Sequence, residues 1–100
     1  MSRYTLWIHP EASEEAEHAG EWYRERSLRA AAHFREEVAR ALQVISQSPG
    51  RGPSYLLGTR RFLLWHFPYA LVYRELSEVI QVLAVAHGRR RPGYWKARLR

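Results

Sequence analysis

The sequence predicts an α+β fold with the element order β-α-α-β-β-β, a helical hairpin packed on a small, mainly antiparallel sheet. Three observations lead there. Apolar residues recur at helical spacing in two consecutive segments of the first half of the chain. One short alternating run precedes them, and three runs rich in branched and aromatic residues follow. The links between those last three runs are short, which suits an antiparallel meander.

Tyr4 to His9 alternates rings with branched and apolar residues and reads as the first strand. Pro10 suits the first position of a helix, where its missing N–H is not needed. Glu11, Glu14 and Glu15 set carboxylates near the positive end of the helix dipole. Ala12, Ala16, Ala19, Trp22 and Tyr23 share one face, and this helix is expected to run to about Glu25. Ser27 can cap a second helix. Its apolar stripe is Phe34, Val38, Ala41, Leu42 and Ile45, with Arg29, Arg35, Glu36, Glu37 and Arg40 mostly off it; Ser48-Pro49-Gly50 ends it.

Gly50 to Ser54 is a loop by composition. The three meander strands are expected at Arg60 to Phe67, Tyr69 to Glu75 and Val79 to His87, turning at Pro68 and at Ser77-Glu78. Tyr69, Leu71 and Tyr73 share strand parity and should face the core, whereas Arg74 should face the other side. The first strand should join this sheet. Pro92 to Arg98 is expected to form a short terminal helix. With no internal repeat or low-complexity tract, residues 1–100 read as a single domain.

Charge is divided unevenly. Residues 1–50 hold eight Glu and six Arg, a balance of −2, while residues 51–100 hold two Glu, nine Arg and one Lys, a balance of +8. A cationic half implies a polyanionic partner, either nucleic acid or an acidic protein segment; a solvated surface that aids solubility is the plainer alternative. The chain has no cysteine, which removes disulfides and thiolate chemistry and fits a reducing cytoplasm. Met1-Ser2-Arg3-Tyr4-Thr5 carries no apolar signal region, and no run is long enough to cross a membrane.

The residues that could carry chemistry cluster near the C-terminus. His87 ends the third meander strand beside Arg89, Arg90 and Arg91. A neutral imidazole there could act as a general base toward a ribose 2′-OH. Arginine forks could bind a phosphate and stabilise its added charge. Tyr94 and Trp95 could stack on unpaired bases. Each has a structural alternative: His87 as a strand-end cap, Tyr94 and Trp95 as rings that fold the tail onto the sheet. Arg60 and Arg61 must point to opposite faces of their strand, and the pattern alone does not say which one is functional. Among His9, His18, His33, His66 and His87 there is no H-E-x-x-H pair; Glu14 and His18 stand at a spacing that ligands share with many surface pairs. No Gly-rich phosphate loop follows a strand. Neither a metal nor a cofactor is expected.

Taken together, Arg60-Arg61-Phe62, Phe67-Pro68-Tyr69-Ala70-Leu71-Val72-Tyr73-Arg74, Ile80 through Arg90 and Pro92-Gly93-Tyr94-Trp95 resemble the C-terminal half of the RelE/ParE superfamily of type II toxins. The ParE-like branch is the more similar one. Nuclease members of the RelE type use several lysines and arginines around their cleft, whereas the only lysine here is Lys96 in the tail. The resemblance implies a growth-inhibiting, plasmid-stabilising toxin that poisons DNA gyrase and is neutralised by a cognate antitoxin in a hetero-oligomer. The alternatives are a RelE-like, ribosome-dependent mRNA endonuclease and a non-catalytic basic nucleic-acid-binding module. For the nuclease, the candidate catalytic residues are His87, Arg90, Arg74, Arg61 and Tyr94. For target or nucleic-acid binding they are Arg60, Arg61, Arg74, His87, Arg89, Arg90, Arg91, Tyr94 and Trp95.

Overall fold

A computed structural model of the chain describes residues 4–100. Met1–Arg3, part of the segment read as lacking a signal region, lie outside the described residues. The elements are β1 (Thr5–Ile8), α1 (Pro10–Arg24), α2 (Leu28–Gln47), β2 (Arg60–Leu63), β3 (Tyr69–Leu76) and β4 (Val79–His87), with short 3-10 turns at Pro49–Arg51, Leu56–Gly58 and Lys96–Leu99. The four-stranded sheet has the order β1-β4-β3-β2. β1 runs parallel to β4, and the other two pairings are antiparallel. No helix among the described residues is long and apolar enough to cross a membrane.

The helix ends follow from local chemistry. His9 precedes Pro10 and its Nδ1 accepts the Glu11 N–H at 3.1 Å, capping α1. Ser27 Oγ accepts the Ala30 N–H at 3.1 Å and caps α2, as its position suggested. Ala12, Ala19 and Gly20 are buried on α1, and Ala31, Phe34, Ala41 and Ile45 on α2. The small residues of α1 let it lie close against its neighbours.

Three boundaries differ from expectation. β2 ends at Leu63 rather than Phe67, and its last ladder partner is Ala70. Beyond it the Trp65 and His66 N–H groups donate to Glu37 Oε1 on α2, at 2.8 and 3.2 Å, rather than to another strand. β1 is trimmed at both ends to four residues. The tail has one short 3-10 turn instead of a helix from Pro92, because Gly93 sits at φ 81°, outside the helical region.

A register shift between Val72 and Tyr73 pairs Val72 with Ala84 but Tyr73 with Val82, leaving Leu83 as an extra residue on β4. Such a bulge reverses side-chain parity along its strand. Ile80 and Val82 therefore belong to the core under the helices, and so does Val85 three residues later. That core also holds Phe34, Ile45, Leu71 and Tyr73, with Tyr69 packed against it. The opposite face carries a second, smaller core of Val72, Ala84 and Trp95, flanked by Tyr55, Ala86, Tyr94 and Leu99. The tail is thus the cover of the sheet's back face.

Tyr73 ties the loop after α2 to the sheet. Its hydroxyl donates to the Pro49 carbonyl at 2.6 Å and accepts the Gly52 N–H at 3.0 Å. A Cβ on residue 52 would stand 2.7 Å from that hydroxyl, so only glycine fits the approach.

Candidate functional site

The cationic end of the sheet is built where β4 runs out and the tail turns back. His87 pairs with Tyr69 in the ladder and meets its ring edge-on, with centroids 5.0 Å apart. The Arg89 N–H donates to His87 Nδ1 at 3.0 Å. In the neutral ring this places the proton on Nε2 and occupies the lone pair on Nδ1. His87 therefore does act as a strand-end cap.

Two clefts meet at this residue. One, of about 190 Å³, lies on the back face and is lined by Arg61, His87, Arg90, Arg91, Tyr94 and Trp95, among others. The second, of about 570 Å³, lies beside α1 and includes Ala19, Trp22, Tyr23, His87, Arg89 and Arg90. Most of the residues singled out from the sequence thus converge on one end of the sheet. Arg61 lies with its guanidinium 4.4 Å from the Tyr55 ring centre, and Arg90 covers the Tyr94 ring at 3.7 Å. Arg89, Arg90 and Arg91 are exposed.

The other candidates have structural work. Arg60 shares parity with the core residue Phe62 and donates to the Gly52 carbonyl at 2.8 Å. Arg74 donates to Gln81 Oε1 and to the Leu99 carbonyl, each at 2.8 Å, and so pins the tail. Trp95 is 1% exposed and presents no free face on which a base could stack.

The residue that organises this end, Glu15, was absent from the sequence-based candidates. Its Oε1 accepts the Val85 N–H at 2.9 Å, and its Oε2 accepts the Tyr94 hydroxyl at 2.7 Å. Arg98 grips both oxygens at 3.0 Å each and also donates to the Leu83 carbonyl at 3.0 Å. Arg90 approaches the same carboxylate at 4.0 Å. Burial, and then the hydrogen bond to Glu15, push the Tyr94 phenol far above its ordinary range. Burial alone would lower Arg98, but the bond to Glu15 outweighs it and raises the guanidinium further. An acidic residue in the first turns of α1 gives no hint of this role, because its partners stand 70 to 83 residues away.

A second cluster was also missed. His33, Glu37 and His66 bring one ligand atom each to within 4.8 Å of one another, the one such group of three among the described residues. Glu14 and His18, whose spacing drew notice in the sequence, are not part of it.

A two-helix layer on a four-stranded mixed sheet, with exposed arginines where a folded-back tail closes one end, defines a small α+β domain. A family model for the ParE toxin of type II toxin–antitoxin systems, parDE, matches residues 6–92. The chain belongs to that family. Its structure also superposes on a chain of the chromosomal ParDE TA system from P. aeruginosa with a TM-score of 0.75, at 18% sequence identity, covering 85% of this chain and 96% of that one. No curated protein matches the chain. The α+β fold and the ParE-like resemblance read from the sequence are both borne out.

Proposed function

We propose that this toxin arrests bacterial growth in the cytoplasm by binding and poisoning DNA gyrase, and that a cognate antitoxin neutralises it by covering its cationic end. The carrying observation is that Arg61, Arg89, Arg90 and Arg91 surround His87 while the Nδ1 lone pair of that histidine is already engaged. Such an end offers charge for binding but no general base held ready beside it. The α1-side cleft joins an apolar floor of Ala19, Trp22 and Tyr23 to arginines at its rim. That combination suits an acidic, amphipathic antitoxin segment that orders as it binds. In a supercoiling assay the purified protein is expected to inhibit gyrase and accumulate cleaved complexes. If both readouts are untouched at stoichiometric excess, the gyrase reading fails.

The convergence of His87, Arg61, Arg90 and Tyr94 on one cleft favours an RNA endonuclease as the second reading. There His87→Ala should abolish RNA cleavage, and growth arrest should follow loss of translation rather than DNA damage.

A further inference from the structure

We propose that His33, Glu37 and His66 form a binding site for a divalent transition-metal ion of the zinc class. His33 and Glu37 stand one helical turn apart on α2, so their side chains leave the same face, with His33 Nε2 3.3 Å from Glu37 Oε2. His66 arrives from the β2–β3 connection, and its Nδ1 is hydrogen-bonded to the same Oε2. Tetrahedral zinc with bonds of about 2.1 Å holds its ligand atoms roughly 3.4 Å apart. The His33–Glu37 separation of 3.3 Å lies close to that value, and all three ligand atoms stand within 4.8 Å of one another, so side-chain adjustment of the exposed His66 would complete the site.

The carboxylate is oriented for the task. Glu37 Oε1 is held by the Trp65 and His66 N–H groups, which leaves Oε2 as a single, directed donor. Outer-sphere hydrogen bonds of this kind fix ligand geometry in metal sites. Burial opposes ionisation of Glu37, but the hydrogen bonds from His66 and Trp65 prevail and keep its carboxyl below its ordinary value, so the anionic donor is the resting form. The His33 ring is wedged edge-on against Phe67, with centroids 5.2 Å apart. Two imidazoles and one carboxylate select zinc, nickel, cobalt or copper over magnesium or calcium.

Access follows from exposure. The Glu37 side chain is 13% exposed, whereas His33 and His66 are 46% and 61% exposed. The group opens onto a cleft of about 350 Å³, which leaves a fourth position for water or a partner's side chain. To ligate through Nδ1, the His66 ring must present that nitrogen without a proton. A bound ion would then lock the β2–β3 connection, with the 87% exposed Trp65 at its tip, onto α2. Arg40 and Arg51 line the same cleft and oppose a cation, which sets a moderate affinity.

The test uses the purified chain stripped with chelator. Zn²⁺ titrated by calorimetry is expected to bind with 1:1 stoichiometry. Co²⁺ should give the visible absorption of a low-coordinate site. His33→Ala and His66→Ala should each weaken binding at least about tenfold, the cost that loss of even an outer-sphere partner carries, whereas His18→Ala should not. In the unaltered protein, imidazole NMR signals of His33 and His66 should shift before those of His9, His18 and His87. Absence of Zn²⁺ binding, undiminished binding in the His33→Ala/His66→Ala double variant, or earlier shifts of the other histidines would each overturn the site.

Discussion

Glu15 shows how one side chain can decide the arrangement of a surface. It bonds the β4 backbone, the Tyr94 hydroxyl and both forks of Arg98, and the Glu15 and Arg98 side chains are only 16% and 9% exposed. Two charges this deeply placed cost desolvation energy that their mutual bonds must offset. Removing Glu15 takes the acceptor from the Val85 N–H and the Tyr94 hydroxyl and leaves the buried Arg98 with only the exposed Glu11 carboxylate, at 3.5 Å, to balance its charge. Glu15→Ala is therefore expected to lower unfolding stability by about 3 kcal/mol in urea denaturation. Glu15→Leu combined with Arg98→Met should recover part of that loss, since the unbalanced Arg98 charge is then gone while the Val85 N–H and the Tyr94 hydroxyl still lack their acceptor. If the single variant melts like the parent protein, the cluster is ornamental.

At the scale of elements, the caps and the bulge act in different ways. Ser27 ends one helix's neighbourhood and begins the next, and its hydroxyl satisfies a donor that α2 otherwise leaves open. Ser27→Ala should cost about 1 kcal/mol, a fall in Tm of roughly 4–8 °C for a domain of this size. The bulge at Leu83 decides which β4 side chains face which side of the sheet. Strict alternation from Ile80 and Val82 would put Ala84 and Ala86 under the helices and turn His87 to the back face. The extra residue instead puts Val85 in the main core and Ala84 in the smaller one, and it sets His87 beside Tyr69. His87 can then border both clefts.

Over the whole molecule, the phenols report on packing. Burial raises the Tyr23, Tyr69, Tyr73 and Tyr94 hydroxyls above the ordinary tyrosine value. In the unfolded chain these groups ionise near pH 10. With folded values higher than unfolded ones, their contribution to stability is complete below about pH 10 and declines as the pH rises through the folded values. Thermal melts should therefore show Tm falling steadily above about pH 10, and tyrosinate absorbance in the native protein should lag that of the denatured chain. Coincident titration of native and denatured protein would contradict the buried placement of these rings.

Much of this protein was legible in the sequence because it is locally encoded. Helical periodicity, Pro10 and Ser27 mark α1 and α2, and alternation marks β3 and β4 within a residue of where they fall. The strand parity of Tyr69, Leu71, Tyr73 and Arg74 held because no extra residue interrupts β3 itself. The run from Phe67 to Trp95 carried the family resemblance for the same reason. Three things were settled only by the tertiary structure. The bulge arises from how β4 pairs with β3, so simple alternation along β4 does not report which residues beyond Leu83 face the helices. Arg60 and Arg61 acquired their separate roles from the loop and the Tyr55 ring that face them. Glu15 with Arg98, and Glu37 with His66, are pairs between distant parts of the chain. Hydrogen bonding and charge act through space over a few ångströms, and no spacing along the chain reports which residues the packed sheet and helices bring that close.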